Sequence, residues 1–101
     1  MARILKWDAQ KYLARVPDEH IFYLHSGGVI RDMHELGEAL RNMSDETFAY
    51  HSDEGKKDFS KWAKDIIGDE KLSRDLSKAT SRTRAVKFVT DREKFLRSKL
   101  T

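Results

Sequence analysis

The chain reads as a mostly helical α+β domain, with one short N-terminal β-hairpin and a basic C-terminal helix. Three observations carry that reading. Apolar residues recur at spacings of 3 and 4 through most of the sequence, as amphipathic helices require. One aromatic and β-branched run, His20 to His25, is followed by Ser26-Gly27-Gly28 and then Val29-Ile30, the pattern of two strands around a turn. Charge is divided unevenly. Residues 1–77 hold 12 Lys and Arg against 15 Asp and Glu, whereas residues 78–101 hold 8 against 2, a net of +6.

The length of 101 residues predicts one domain over residues 1–101, with a basic, amphipathic element at 78–101 and one modest core. With no cysteine there are no disulfides, thiolate metal ligands or cysteine nucleophiles. The N-terminal residues lack the apolar run of a signal peptide, and no stretch approaches the roughly 18 apolar residues of a membrane span. The expectation is a cytoplasmic protein without a membrane span.

Element by element, Leu5, Ala9, Tyr12, Leu13 and Val16 predict a short helix capped by Asp8 and stopped before Pro17. After the hairpin, Asp32 and Glu35 form a cap with a reciprocal acceptor, ahead of a stripe of Met33, Leu36, Gly37, Leu40 and Met43. Gly37 predicts close packing against the hairpin, since glycine inside a helix otherwise costs about 1 kcal/mol. Ser44 starts another helix, with Phe48 and Tyr50 as anchors and a break at Ser52 to Gly55. Phe59, Trp62, Ala63, Ile66 and Ile67 give an amphipathic helix over Asp58–Ile67, stopped by Gly68. Asp69 caps the next helix, with Leu72 and Leu76 inward. Ala85, Phe88, Val89, Phe95, Leu96 and Leu100 form a last apolar stripe, interrupted at Arg92.

Several ordered blocks come after the aromatic-rich strand and glycine turn: Met33-His34-Glu35-Leu36, then Met43-Ser44-Asp45-Glu46-Thr47-Phe48 with His51. Asp58-Phe59-x-x-Trp62-x-x-Asp65 comes next and ends in Gly68-Asp69-Glu70-x-Leu72. Over about residues 20–76 the chain thereby resembles a family of small prokaryotic domains of unknown function. The resemblance implies a compact helical domain and supplies no chemistry, and the basic segment after Lys78 lies outside it.

Candidate chemistry is sparse. His25, His34 and His51 would offer three nitrogens to zinc if the fold gathered them, but their spacing matches no ligand pattern. No metal or cofactor is expected. His51 with Asp58 is the better pair, because a carboxylate can fix an imidazole tautomer and raise its basicity. Without a nucleophile or oxyanion donors beside it, the pair is expected to latch two helices, and no catalytic residue is assigned. Gly27-Gly28 lacks the rest of a phosphate-binding loop. Trp7, Trp62, Phe59 and Phe48 fall at helical spacings beside leucines. Trp62, flanked by Phe59 and Ile66 on a regular stripe, is expected in the core rather than along a basic groove, with Trp7 set apart near a terminus.

Function is expected in the basic element of a small non-enzymatic binding domain. Arg82, Arg84, Lys87, Arg92, Lys94, Arg97 and Lys99 are the candidate contacts to DNA or another nucleic acid, binding phosphate without selecting sequence. The alternative is a protein-interaction or homodimerisation module, in which the helix meets an acidic protein or a second copy. The apolar stripe of Phe88, Phe95, Leu96 and Leu100 favours it, because terminal aromatics need a surface to cover. A membrane-surface role fits less well with Asp91 and Glu93 in the segment. The same helix can also simply complete the core. One contiguous cationic face would favour binding, and charges paired to acids of the body would favour a structural role.

Overall fold

The computed structural model of the protein describes residues 3–53 and 55–101. It is a mostly helical domain with a short N-terminal hairpin and a long C-terminal helix. In order, the elements are α1 (Lys6–Leu13), a 3₁₀ turn (Asp18–His20), β1 (Phe22–Tyr23), β2 (Val29–Ile30) and α2 (Met33–Asn42). Next come α3 (Asp45–Ser52), α4 (Asp58–Trp62) running into a π-helical turn (Ala63–Ile67), α5 (Glu70–Ser77) and α6 (Arg82–Ser98).

Helix starts obey local chemistry. The side chains of Asp32, Ser44, Asp69 and Ser81 each accept the backbone N–H three residues on, at 2.8–3.2 Å. Each such cap contributes about 1 kcal/mol. Glu35 reaches back as expected, but to the N–H of Arg31 rather than Asp32. Asp8 is not the cap of α1. It lies inside the first turn and accepts from the N–H of Leu5, so the helix begins earlier than a cap at Asp8 would allow.

The hairpin pairs Phe22 with Ile30 and Tyr23 with Val29, antiparallel. It is shorter than the run from His20 suggests, because His20 closes a 3₁₀ turn instead. Gly27 and Gly28 have φ of 97° and 95°, which only glycine adopts freely. The backbone N–H of Val16 donates to the Arg31 carbonyl, tying the segment after α1 to the end of the hairpin.

Helix α6 packs against α2, α5 and α1 and so runs through the centre of the domain. Met33, Leu36 and Leu40 of α2, Leu72 of α5 and Val89 and Leu96 of α6 are fully buried in one core with Ile30. Gly37 does allow a close approach, but its partner is α6 and not the hairpin. A Cβ there would meet Val89 Cγ1 at 3.4 Å. A second cluster is aromatic, with Phe59 stacked between Phe22 (5.1 Å) and Phe48 (6.0 Å). Trp62 lies edge-on to Phe22 and donates from Nε1 to the carbonyl of His20 at 2.8 Å. Tyr50, expected as an anchor, is exposed, with the His25 ring and the Lys56 ammonium against it. The expected break includes Glu54, which is outside the described residues.

At Gly68 the chain turns in the left-handed region (φ 87°). The N–H groups of both Gly68 and Asp69 donate to the carbonyl of Ala63, at 2.9 and 3.0 Å. This wide turn delivers Asp69 to the interior.

Candidate binding cleft at the Asp69–Arg92 pair

The buried line of α6 is Ala85, Val89, Arg92 and Leu96, at spacings of 4, 3 and 4. Arg92 therefore occupies a core position rather than interrupting the core stripe. A guanidinium stays charged in any protein environment, so burial obliges a counter-ion. Asp69 supplies it. Arg92 donates from Nε to Oδ2 at 2.7 Å and from Nη2 to Oδ1 at 2.9 Å, a two-pronged contact between side chains 7% and 1% exposed. Asp69 Oδ1 also takes the N–H of Leu72, so one carboxylate caps α5 and joins it to α6.

A cleft of about 1150 Å³ opens over this pair. Its walls come from Tyr12 of α1, from the π turn and α5, and from Phe88 and Phe95 of α6. Phe95 is 41% exposed, with the Arg92 guanidinium carbon 5.6 Å and the Lys99 ammonium 5.1 Å from its ring centre. Burial first, then the negative charges of Asp69 and Asp8, raise the Tyr12 phenol above its ordinary value, with Arg92 acting in the opposite sense.

The basic residues of α6 do not form one cationic face. Arg92 is buried and paired, which removes it from the surface contacts expected of it. Arg82 donates from Nε to Asp45 (2.9 Å) and from Nη1 to the carbonyls of Leu40 and Arg41 (both 3.0 Å), closing the C-terminal end of α2. Arg97 pairs with Glu93 at 2.6 Å, and Lys87 with Asp91 at 3.1 Å. Arg84 lies against the Phe88 ring, Lys99 against Phe95, and Lys94 is exposed. None of these three has a carboxylate partner among the described residues.

His51 and Asp58 do come together. The backbone N–H of His25 donates to His51 Nε2 at 3.0 Å, so the ring proton sits on Nδ1 and is donated to Asp58 Oδ2 at 2.9 Å. The ring is 5% exposed, against Phe22 and Phe59. Both nitrogens are thus engaged, and the pair joins the hairpin turn, α3 and α4. His34 goes elsewhere, to Glu93 of α6 at 3.0 Å. Among the described residues, no three potential ligands gather as a metal site. Nor is any helix among them long and apolar enough to cross a membrane.

Sequence reasoning left Tyr12 and the pairing of Asp69 with Arg92 out of the candidate site. A signal existed for the pair: an arginine three residues after one buried position and four before another. Comparison with protein-family models, curated proteins and solved structures finds no match for this chain.

Proposed function

We propose that this chain is a small non-enzymatic binding domain whose cleft between α1, α5 and α6 docks a segment of a partner protein. The observation that carries this reading is Phe95, exposed at the rim of an open cleft beside the half-buried Phe88 and Tyr12. Exposed aromatics around a concavity are what protein partners commonly cover. The engagement of Arg82, Lys87, Arg92 and Arg97 within the chain supports it over a polyanion-binding face. The engaged nitrogens of His51 support a structural rather than a catalytic role for that residue. As a test, peptides selected from a random displayed library on the immobilised domain should lose binding to Phe95→Ala. A library that yields no Phe95-dependent binder removes the reading.

Nucleic-acid binding is the second reading, favoured by one observation: Arg84, Lys94 and Lys99 lack carboxylate partners within the described chain. If it holds, duplex DNA affinity falls with added salt by a logarithmic slope of about −0.9 for each phosphate neutralised. Replacing these three by glutamine flattens that slope in fluorescence-anisotropy titrations. Absence of binding at low salt eliminates this version.

A further inference from the structure

We infer that the cleft recognises an uncharged carbonyl, such as a peptide-backbone amide beside an apolar side chain, in preference to a carboxylate or phosphate. This deepens the protein-docking reading and rests on it.

Arg92 has donors left over. A guanidinium has five N–H donors, of which the contact with Asp69 uses one on Nε and one on Nη2. Nη1 has no partner among the described residues. No buried side-chain nitrogen or oxygen among those residues lacks a partner, so Nη1 must border open space, and the space that Arg92 lines is the cleft. A side chain more than nine-tenths buried therefore presents unused donors to it. Tyr12 lines the same cleft, its hydroxyl also without a partner among the described residues. That hydroxyl can accept from an amide N–H while Nη1 donates to the carbonyl.

Charge decides what kind of acceptor fits. Asp69, within 2.9 Å, already neutralises Arg92, so an incoming anion meets the carboxylate as well as the guanidinium. The rim adds no compensating field. Lys64, Lys71, Arg74 and Lys99, the last against the Phe95 ring, are matched in number by Asp65, Glu70, Asp75 and Asp91, with Lys71 held by Asp75 at 2.7 Å. An anion would surrender its hydration for no net positive charge. A carbonyl gives up much less and gains the unused N–H, while Phe88 and Phe95 cover the neighbouring apolar group.

Two small probes separate the alternatives: N-acetyl-phenylalanine amide, which is neutral, and N-acetyl-phenylalanine, which carries a carboxylate. Each is titrated into the ¹⁵N-labelled full chain by NMR. The amide should move the Arg92 Nε–H and Gly68 N–H signals at a concentration about fivefold lower than the acid, the advantage of one hydrogen bond over a repelled charge. Arg92→Lys keeps a cation opposite Asp69 but removes the Nη1 donors, and Tyr12→Phe removes only the hydroxyl. Each should weaken the amide while circular dichroism is unchanged, and Tyr12→Phe still reports if Arg92→Lys unfolds. Equal or tighter binding of the acid overturns the inference. If displayed peptides still bind through Phe95 in that case, the docking reading survives it. If neither the peptides nor the probes reach the cleft, both fall together.

Discussion

His51 and Arg92 are both buried basic side chains held by an aspartate, yet their surroundings leave them in different conditions. His51 has two ring nitrogens and two partners, and aromatic rings pack against it. Arg92 has three nitrogens, of which only Nε and Nη2 are matched, and it lies under an open cleft. A polar group whose bonding capacity is fully used within the chain can only hold the fold together. One with capacity to spare, next to solvent-filled space, can hold the fold and also meet a ligand. The residual donors distinguish the two sites, since in both an aspartate holds a buried side chain by hydrogen bonds.

The sharpest way to break the Arg92 side is Asp69→Ala, which strands a buried cation and removes the α5 cap. It should cost about 3–5 kcal/mol in urea denaturation. The double variant Asp69→Asn/Arg92→Met keeps a capping side chain and buries no charge, so it should recover most of that loss. A double variant no better than the single one would show that charge burial is not the dominant effect.

His51→Ala comes next. It leaves the His25 N–H and the Asp58 carboxylate without their partner and opens a gap beside Phe22 and Phe59, for about 2–4 kcal/mol. The same peptide-binding assay should be unaffected in the folded fraction. A loss of peptide affinity there would place the binding site on the hairpin side instead.

Smaller effects separate the basic residues of α6 from one another. Arg82→Gln gives up hydrogen bonds to Asp45 and to two α2 carbonyls and should cost about 1–2 kcal/mol. The triple variant Arg84→Gln/Lys87→Gln/Lys94→Gln, on the exposed surface, should stay within about 0.5 kcal/mol of the parent. Equal thermal shifts for the two would mean that Arg82 is not a structural clamp.

The smallest effect is a pH dependence at Tyr12. Its phenol is raised above the ordinary 10.0 in the folded chain, so the unfolded chain releases its proton first as pH climbs. The associated stability is fully present below the ordinary value and is lost as pH rises through the higher folded value. Urea midpoints tracked from about pH 9 upward should therefore fall less steeply in Tyr12→Phe than in the parent. Parallel curves would show that burial and the nearby carboxylates do not raise the Tyr12 phenol in the folded chain.

Local signals in the sequence were sufficient for much of this architecture. The caps at Asp32, Ser44 and Asp69, the stop at Gly68, the glycine turn and the His51–Asp58 latch each depend on residues a few positions apart. The illegible parts depend on which distant element comes near. Gly37 announces a close approach but not whether the hairpin or α6 makes it. Phe95 shares the apolar character of α6, yet the helix rotation set by Val89 and Leu96 leaves it exposed. Asp69 reads completely as a cap, which conceals its second role toward an arginine 23 residues away. The π turn has no sequence mark at all, because its hydrogen bonds use the backbone alone.

That turn makes the length of the segment as consequential as its composition. Winding the same five residues, 63–67, as an ordinary α-helix would advance the start of α5 by about 100° relative to α4, because an i→i+5 turn takes up one residue more than an i→i+4 turn. The Asp69 carboxylate would then swing away from α6 even though every side chain of the pair were retained. Deleting one residue within this stretch lets an α turn take its place with the phase kept, so in soluble expression such a deletion should be tolerated better than a one-residue insertion there. Equal losses from the two would mean that the π turn does not set the phase of α5.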